Sequence, residues 1–203
     1  MNYILPNIYH SYDCNKVILE EFPFKNIVGL EGDFCFNIFS GGPNNIYSSS
    51  LVVHEDVVQS TTDKDKIYLI NMANCLISSE KYFYDEFTTV VLDELSEKNN
   101  CYFEIGNINF GYYLIKNYPN IKIILHPNFF LKHKFDIGLN FINENPNVKG
   151  IILNDIFFSE NQINQLPDHL WKIGLVSLSG CYYCKSYQGC LAKDLCAIFD
   201  YSN

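Results

Sequence analysis

Positive charge is scarce in this chain: among 203 residues there are 14 lysines and arginines against 23 aspartates and glutamates, a formal net charge of -9 with a pI near 4.9. Such a surface repels a phosphate backbone over most of its area, so duplex nucleic acid is not expected as a partner. Long apolar runs are missing as well. The strongest, such as Ile121-Lys-Ile-Ile-Leu125, stop far short of the ~20 residues a membrane-spanning helix needs, so no membrane partner is expected. The opening Met1-Asn-Tyr-Ile-Leu-Pro-Asn7 has no basic stretch and no continuous apolar stretch, so it does not read as a secretion signal. A cytoplasmic, reducing setting is therefore the expectation.

Several chemical signatures are also absent. Gly41-Gly42 has neither the spacing nor the Lys-Ser or Lys-Thr partner of a phosphate-binding loop, and it reads as a tight strand exit. The chain contains no His-Glu-x-x-His, no Gly-x-Ser-x-Gly and no Cys-x3-Cys-x2-Cys, which removes the common zinc-protease, serine-hydrolase and radical S-adenosylmethionine readings. There is no repeat, low-complexity tract or linker to divide the chain. With 48% apolar and 16% aromatic residues it is expected to form one α/β domain over 1–203, ending in a cysteine-rich segment at 181–196.

The middle of the chain alternates in period. Lys66–Asn71, Cys101–Ile105, Ile121–Leu125, Val148–Leu153 and Lys172–Val176 are short runs of β-branched and aromatic residues and read as strands, with Asn26–Leu30 and Phe34–Phe39 as two earlier candidates. Between them, Phe83, Phe87, Val91 and Leu95, then Phe110, Leu114 and Tyr118, then Phe135, Leu139 and Ile142 recur at helical spacing. Pro119 and Pro146 stop the second and third of these helices, and Ser159 caps a short one through Leu166. The stretch from Tyr47 to Asp65 reads as a helix or a long loop. Nearly continuous apolar strands separated by helices predict a parallel sheet: a small or incomplete (β/α) barrel, with a doubly wound open sheet as the alternative.

In such folds chemistry gathers where strands end. Glu104 and His126 end adjacent strands and are the candidate catalytic acid–base pair, with Asp155 as a third member. Asn71 and Asn128 are the candidates for binding and orienting a cofactor or substrate. Polar residues follow most strands for solubility alone, and this chain is rich in asparagine, so position is what singles these out.

Eight cysteines complete the picture. Cys14, Cys35, Cys75 and Cys101 are scattered and read as small buried hydrophobes. Cys181, Cys184, Cys190 and Cys196 fall within 16 residues after a strand, in the pattern C-x2-C-x5-C-x5-C. Four thiolates so close together suit one metal centre, a four-iron cluster or a tetrahedral zinc, with redox or disulfide chemistry as the other use.

Three segments resemble the U32 peptidase-like family, which includes accessory proteins of cofactor-biosynthesis hydroxylases. They are Leu125-His-Pro-Asn128 at a strand end, Ile151-Ile-Leu-Asn-Asp-Ile-Phe-Phe-Ser-Glu160 before a short helix, and Gly180-Cys-Tyr-Tyr-Cys184 after the next strand. The resemblance, over residues 66–190, implies a TIM-type barrel and a 4Fe-4S cluster held by cysteines, the first two being Cys181 and Cys184. It does not bring peptidase activity with it, because the cysteines here stand closer together than in that family. The expected function is modification, performed or assisted, of a small molecule, cofactor precursor or nucleoside. A non-catalytic partner subunit of an enzyme complex and a zinc-stabilised α/β protein are the alternatives.

Overall fold

The computed structural model describes residues 2–6, 12–21, 27–32, 51–73, 86–127, 129–130, 134–153 and 158–175. Within them lie seven strands: β1 (Asn2–Pro6), β2 (Ile27–Gly32), β3 (Ile67–Met72), β4 (Cys101–Ile105), β5 (Ile123–Leu125), β6 (Val148–Ile152) and β7 (Trp171–Leu175). Six helices alternate with them: α1 (Tyr12–Glu21), α2 (Leu51–Asp63), α3 (Glu86–Leu95), α4 (Ile108–Asn117), α5 (Phe135–Glu144) and α6 (Glu160–Gln165). The strands pair in chain order, all parallel, and β1 closes on β7 through Asn2↔Ile173 and Ile4↔Leu175. The fold is thus a closed parallel α/β barrel. Closure rules out the open doubly wound sheet, because neither β1 nor β7 is left as an edge.

Alternation along each strand divides the apolar residues into two sets. Ile4, Leu69, Tyr102, Ile124, Ile152 and Ile173 form one buried cluster that fills the barrel. Tyr68, Ile70, Met72, Cys101, Phe103, Ile105, Ile123, Leu125 and Ile151 belong to a second, larger cluster shared with the helices, including Val91, Phe110 and Phe141. This two-sided burial is why the strands read as continuous apolar runs rather than alternating ones.

Helix ends follow local chemistry. Asn107 caps α4 by accepting from the backbone N–H groups of Asn109 at 2.9 Å and Phe110 at 3.2 Å, and Ser159 with Gln162 forms a capping box at α6. In α5 the buried face is Gly138, Phe141 and Ile142, turned from the expected Phe135–Leu139–Ile142 stripe. Gly138 causes the turn: a Cβ there would enter the Phe130 ring, so the helix seats its glycine against that aromatic.

The amino end of the barrel is stoppered. Trp171 lies 5.3 Å from Tyr102 between ring centroids, and Asn147 Nδ2 donates to the carbonyls of Pro119 and Ile121. Lys66 donates to the Ile27 carbonyl and Lys122 to that of Lys98, so both ammonium groups are held at this end. The first third of the chain holds two elements with no counterpart among the expected ones, the strand Asn2–Pro6 and the helix Tyr12–Glu21, while α2 within Tyr47–Asp65 is the helical of the two readings of that stretch. The candidate strand at Phe34–Phe39 lies outside the described residues.

Candidate functional site

At the opposite, carboxyl end the barrel interior changes from apolar to polar. Parallel register puts Asn71 of β3 beside Glu104 of β4, and Glu104 beside Ile124 of β5, two residues before His126. Residues paired in a parallel ladder face the same side, and Ile124 is interior, so Asn71 and Glu104 project into the barrel. Glu31 of β2 pairs with Leu69, another interior residue, and joins the same group. All four polar residues are buried: Glu31 is 6% exposed, Asn71 4%, Glu104 0% and His126 3%.

Their contacts form two units. Asn71 Nδ2 donates to Glu31 Oε1 at 2.7 Å, while Asn71 Oδ1 accepts from the Ala73 backbone N–H at 3.1 Å. His126 Nε2 stands 3.7 Å from Glu104 Oε1, an electrostatic contact longer than a hydrogen bond. The His126 backbone extends the ladder by donating to the Ile105 carbonyl at 2.9 Å, which fixes where the ring starts. Burial pushes the His126 pKa down to about 3, so the imidazole is neutral at pH 7. A carboxylate nearby favours the charged ring, but removing an imidazolium from water costs more than one 3.7 Å contact returns. A neutral imidazole beside a carboxyl group can donate a hydrogen bond at one nitrogen and accept one at the other, which suits it to hold a polar group, while a pKa near 3 makes it a weak proton acceptor at neutral pH.

Of the residues singled out in the sequence, Asn71, Glu104 and His126 come together. Asn128, Asp155, Cys181, Cys184, Cys190 and Cys196 lie outside the described residues. Among the described residues no group of three or more His, Cys, Asp or Glu is arranged to hold a metal ion, and no helix is long and apolar enough to cross a membrane. Cys101 is a buried core residue facing the helices, and burial raises its thiol pKa to about 12. Asn107, also at a strand end, is occupied as the α4 cap. Glu31 was not anticipated. Its one sequence signal is an acid between Leu30 and Gly32 at the end of an otherwise apolar run, which by itself reads as an ordinary strand end.

No family model matches the sequence, and no curated protein matches it. Among solved structures, "The Structure of the U32 Peptidase Mk0906" is similar, with a TM-score of 0.56 at 9% sequence identity over 96% of this chain and 84% of that one. At that identity the likeness is one of fold, and the barrel described here shares its architecture with a U32 peptidase.

Proposed function

We propose that this chain is a U32-like barrel protein that performs or assists modification of a small molecule, cofactor precursor or nucleoside at the carboxyl end of its barrel. The observation that carries this reading is the buried polar layer of Glu31, Asn71, Glu104 and His126, where a structural interior would continue with isoleucine and leucine. Burying two carboxyl groups, an amide and an imidazole in a barrel that otherwise packs aliphatic side chains is costly for stability, and function is the usual compensation. His126 and Glu104 hold substrate or protons, Asn71 orients its neighbours, and Asn128 and Asp155 are proposed to orient the substrate.

On this reading the four clustered cysteines serve the same end of the barrel. β7 runs parallel to its neighbours, so Leu175 emerges at the carboxyl end, and Cys181 follows six residues later. At ~3.5 Å per residue the six residues from Leu175 to Cys181 can span at most about 20 Å. The donor set fits a metal centre: four thiols in 16 residues are enough for a 4Fe-4S cluster or for zinc. Cys181, Cys184, Cys190 and Cys196 would hold it, and an iron–sulfur centre would supply electron transfer or a fixed scaffold. Anaerobic purification with metal and sulfide analysis and a visible spectrum tests this part. A brown protein with about four irons per chain supports the cluster, and a colourless one with about one zinc supports the structural alternative. A metal-free chain with four alkylatable thiols would end both. Substituting His126→Ala and Glu104→Ala in a protein of unchanged metal content then tests the barrel residues separately.

A further inference from the structure

We propose that Asn71 is a positioning residue, and that its task is to hold the Glu31 carboxylate at the carboxyl end of the barrel while keeping it apart from Glu104. The inference rests on the reading of this layer as the site, and adds Glu31 to it.

The direction of the Asn71 amide is dictated by its partners. The Ala73 backbone N–H can only donate, so it must face Oδ1, and Nδ2 is then turned toward the Glu31 carboxyl oxygen, which accepts. Ala73 is itself fixed. A Cβ built on Gly106 would land on the Ala73 carbonyl oxygen, so only glycine at 106 lets the segment after β4 close over the end of β3. A chain of constraints therefore runs from Gly106 through Ala73 and Asn71 to Glu31.

Position explains why an amide stands at 71. β3 lies between β2 and β4, so Asn71 is placed between two acids, bonded to Glu31 on one side and in register with Glu104 on the other. A neutral donor separates the carboxyl groups and supports one of them, whereas an isosteric aspartate would put three acids on adjacent strands. Among the described residues, Glu104 and His126 are the other titratable groups of this inner layer. Tyr68 lies against Gly32 from the outer face.

The test follows the side-chain carboxyl carbons of the glutamates by NMR through a pH titration of the full-length chain, with Glu31→Gln assigning the Glu31 signal. In Asn71→Ala the Glu31 midpoint is expected to rise by about one to two pH units, the effect of losing a hydrogen bond to a charged group. Asn71→Asp should raise it at least as far. A residue that only fills space would lower stability and leave the midpoint in place, so a midpoint within a few tenths of a unit in Asn71→Ala overturns the proposal. If the Asn71 variants do not fold, the unsubstituted chain still decides. Its Asn71 side-chain N–H2 resonances should titrate together with Glu31, and that dependence should vanish in Glu31→Gln. Resonances indifferent to Glu31 would refute the coupling. Metal content reports on the thiol segment and does not enter either outcome, so failure here and failure of the metal reading are distinguishable.

Discussion

His126 has its imidazole sealed from water, and that has a measurable consequence for stability. Its pKa in the folded chain, about 3, lies below the ordinary value of 6.5 that the unfolded chain restores. The unfolded state therefore binds a proton first as pH falls, and the stability present above pH 6.5 is lost progressively between 6.5 and 3. The slope attributable to this one group approaches about 1.4 kcal/mol per pH unit in the middle of that window. Urea unfolding at pH 7 and pH 5 should show a larger loss for the unsubstituted chain than for His126→Gln, which has no proton to bind. Equal losses would show that the ring is solvated or charged. Cys101 offers a parallel case: buried, with its thiol pushed up to about 12, it should resist alkylation in the folded protein and react only after unfolding. Mass spectrometry of the labelled peptide reads this directly. The bland role expected of Cys101 was legible because a lone thiol in an aromatic strand has little else to do. Glu31 was not legible, because a single acid after Leu30 looks like the end of a strand until register shows which way it points.

Elements were legible wherever their chemistry is local. Ser159 and Gln162 spell a capping box in sequence, and both of its hydrogen bonds are present in the structure. Ser159→Ala should cost about 1 kcal/mol of stability, measured as a shift in the denaturation midpoint, with no effect on the polar layer at the barrel's other strands. The helices at Phe110–Tyr118 and Phe135–Ile142 were visible from spacing, yet the face of α5 was not. Periodicity registers apolar residues and is blind to a glycine that lets a neighbouring ring approach, as Gly138 does for Phe130. Gly106 carries the same lesson closer to the site. Its φ is not left-handed, so its need for glycine is steric rather than conformational. Gly106→Ala must displace the Ala73 carbonyl, and a loss of roughly 1–3 kcal/mol is expected, of the size seen for overpacking. Because Ala73 anchors Asn71, the same variant should also perturb the Asn71 side-chain N–H2 resonances, whereas an alanine at the exposed Asn161 should not.

For the whole molecule, closure is the property that sequence reading left open. The strands from β3 to β7 are long enough and regular enough to announce a parallel sheet, but whether such a sheet curls shut depends on a partner for its last strand. That partner is β1, five residues ending in proline, too short to read as a strand beside the stronger runs that follow. Ile4 does the closing: it pairs with Gly29 of β2 and Leu175 of β7, is 0% exposed, and contributes one of the six side chains that fill the barrel. If the interior is one packed layer system, removing an Ile4 side chain weakens all the strands together rather than fraying one edge. Ile4→Ala should then cost about 2–5 kcal/mol, as expected for a fully buried isoleucine. The single tryptophan, Trp171, sits partly exposed at the amino end against Tyr102 and reports on the closing strand β7. In Ile4→Ala its fluorescence and the far-ultraviolet circular dichroism should shift to lower urea by the same amount and still superimpose. Separated transitions would mean that β1 and β7 open without the rest, and the polar layer at the carboxyl end would then sit in an openable sheet rather than in a closed barrel.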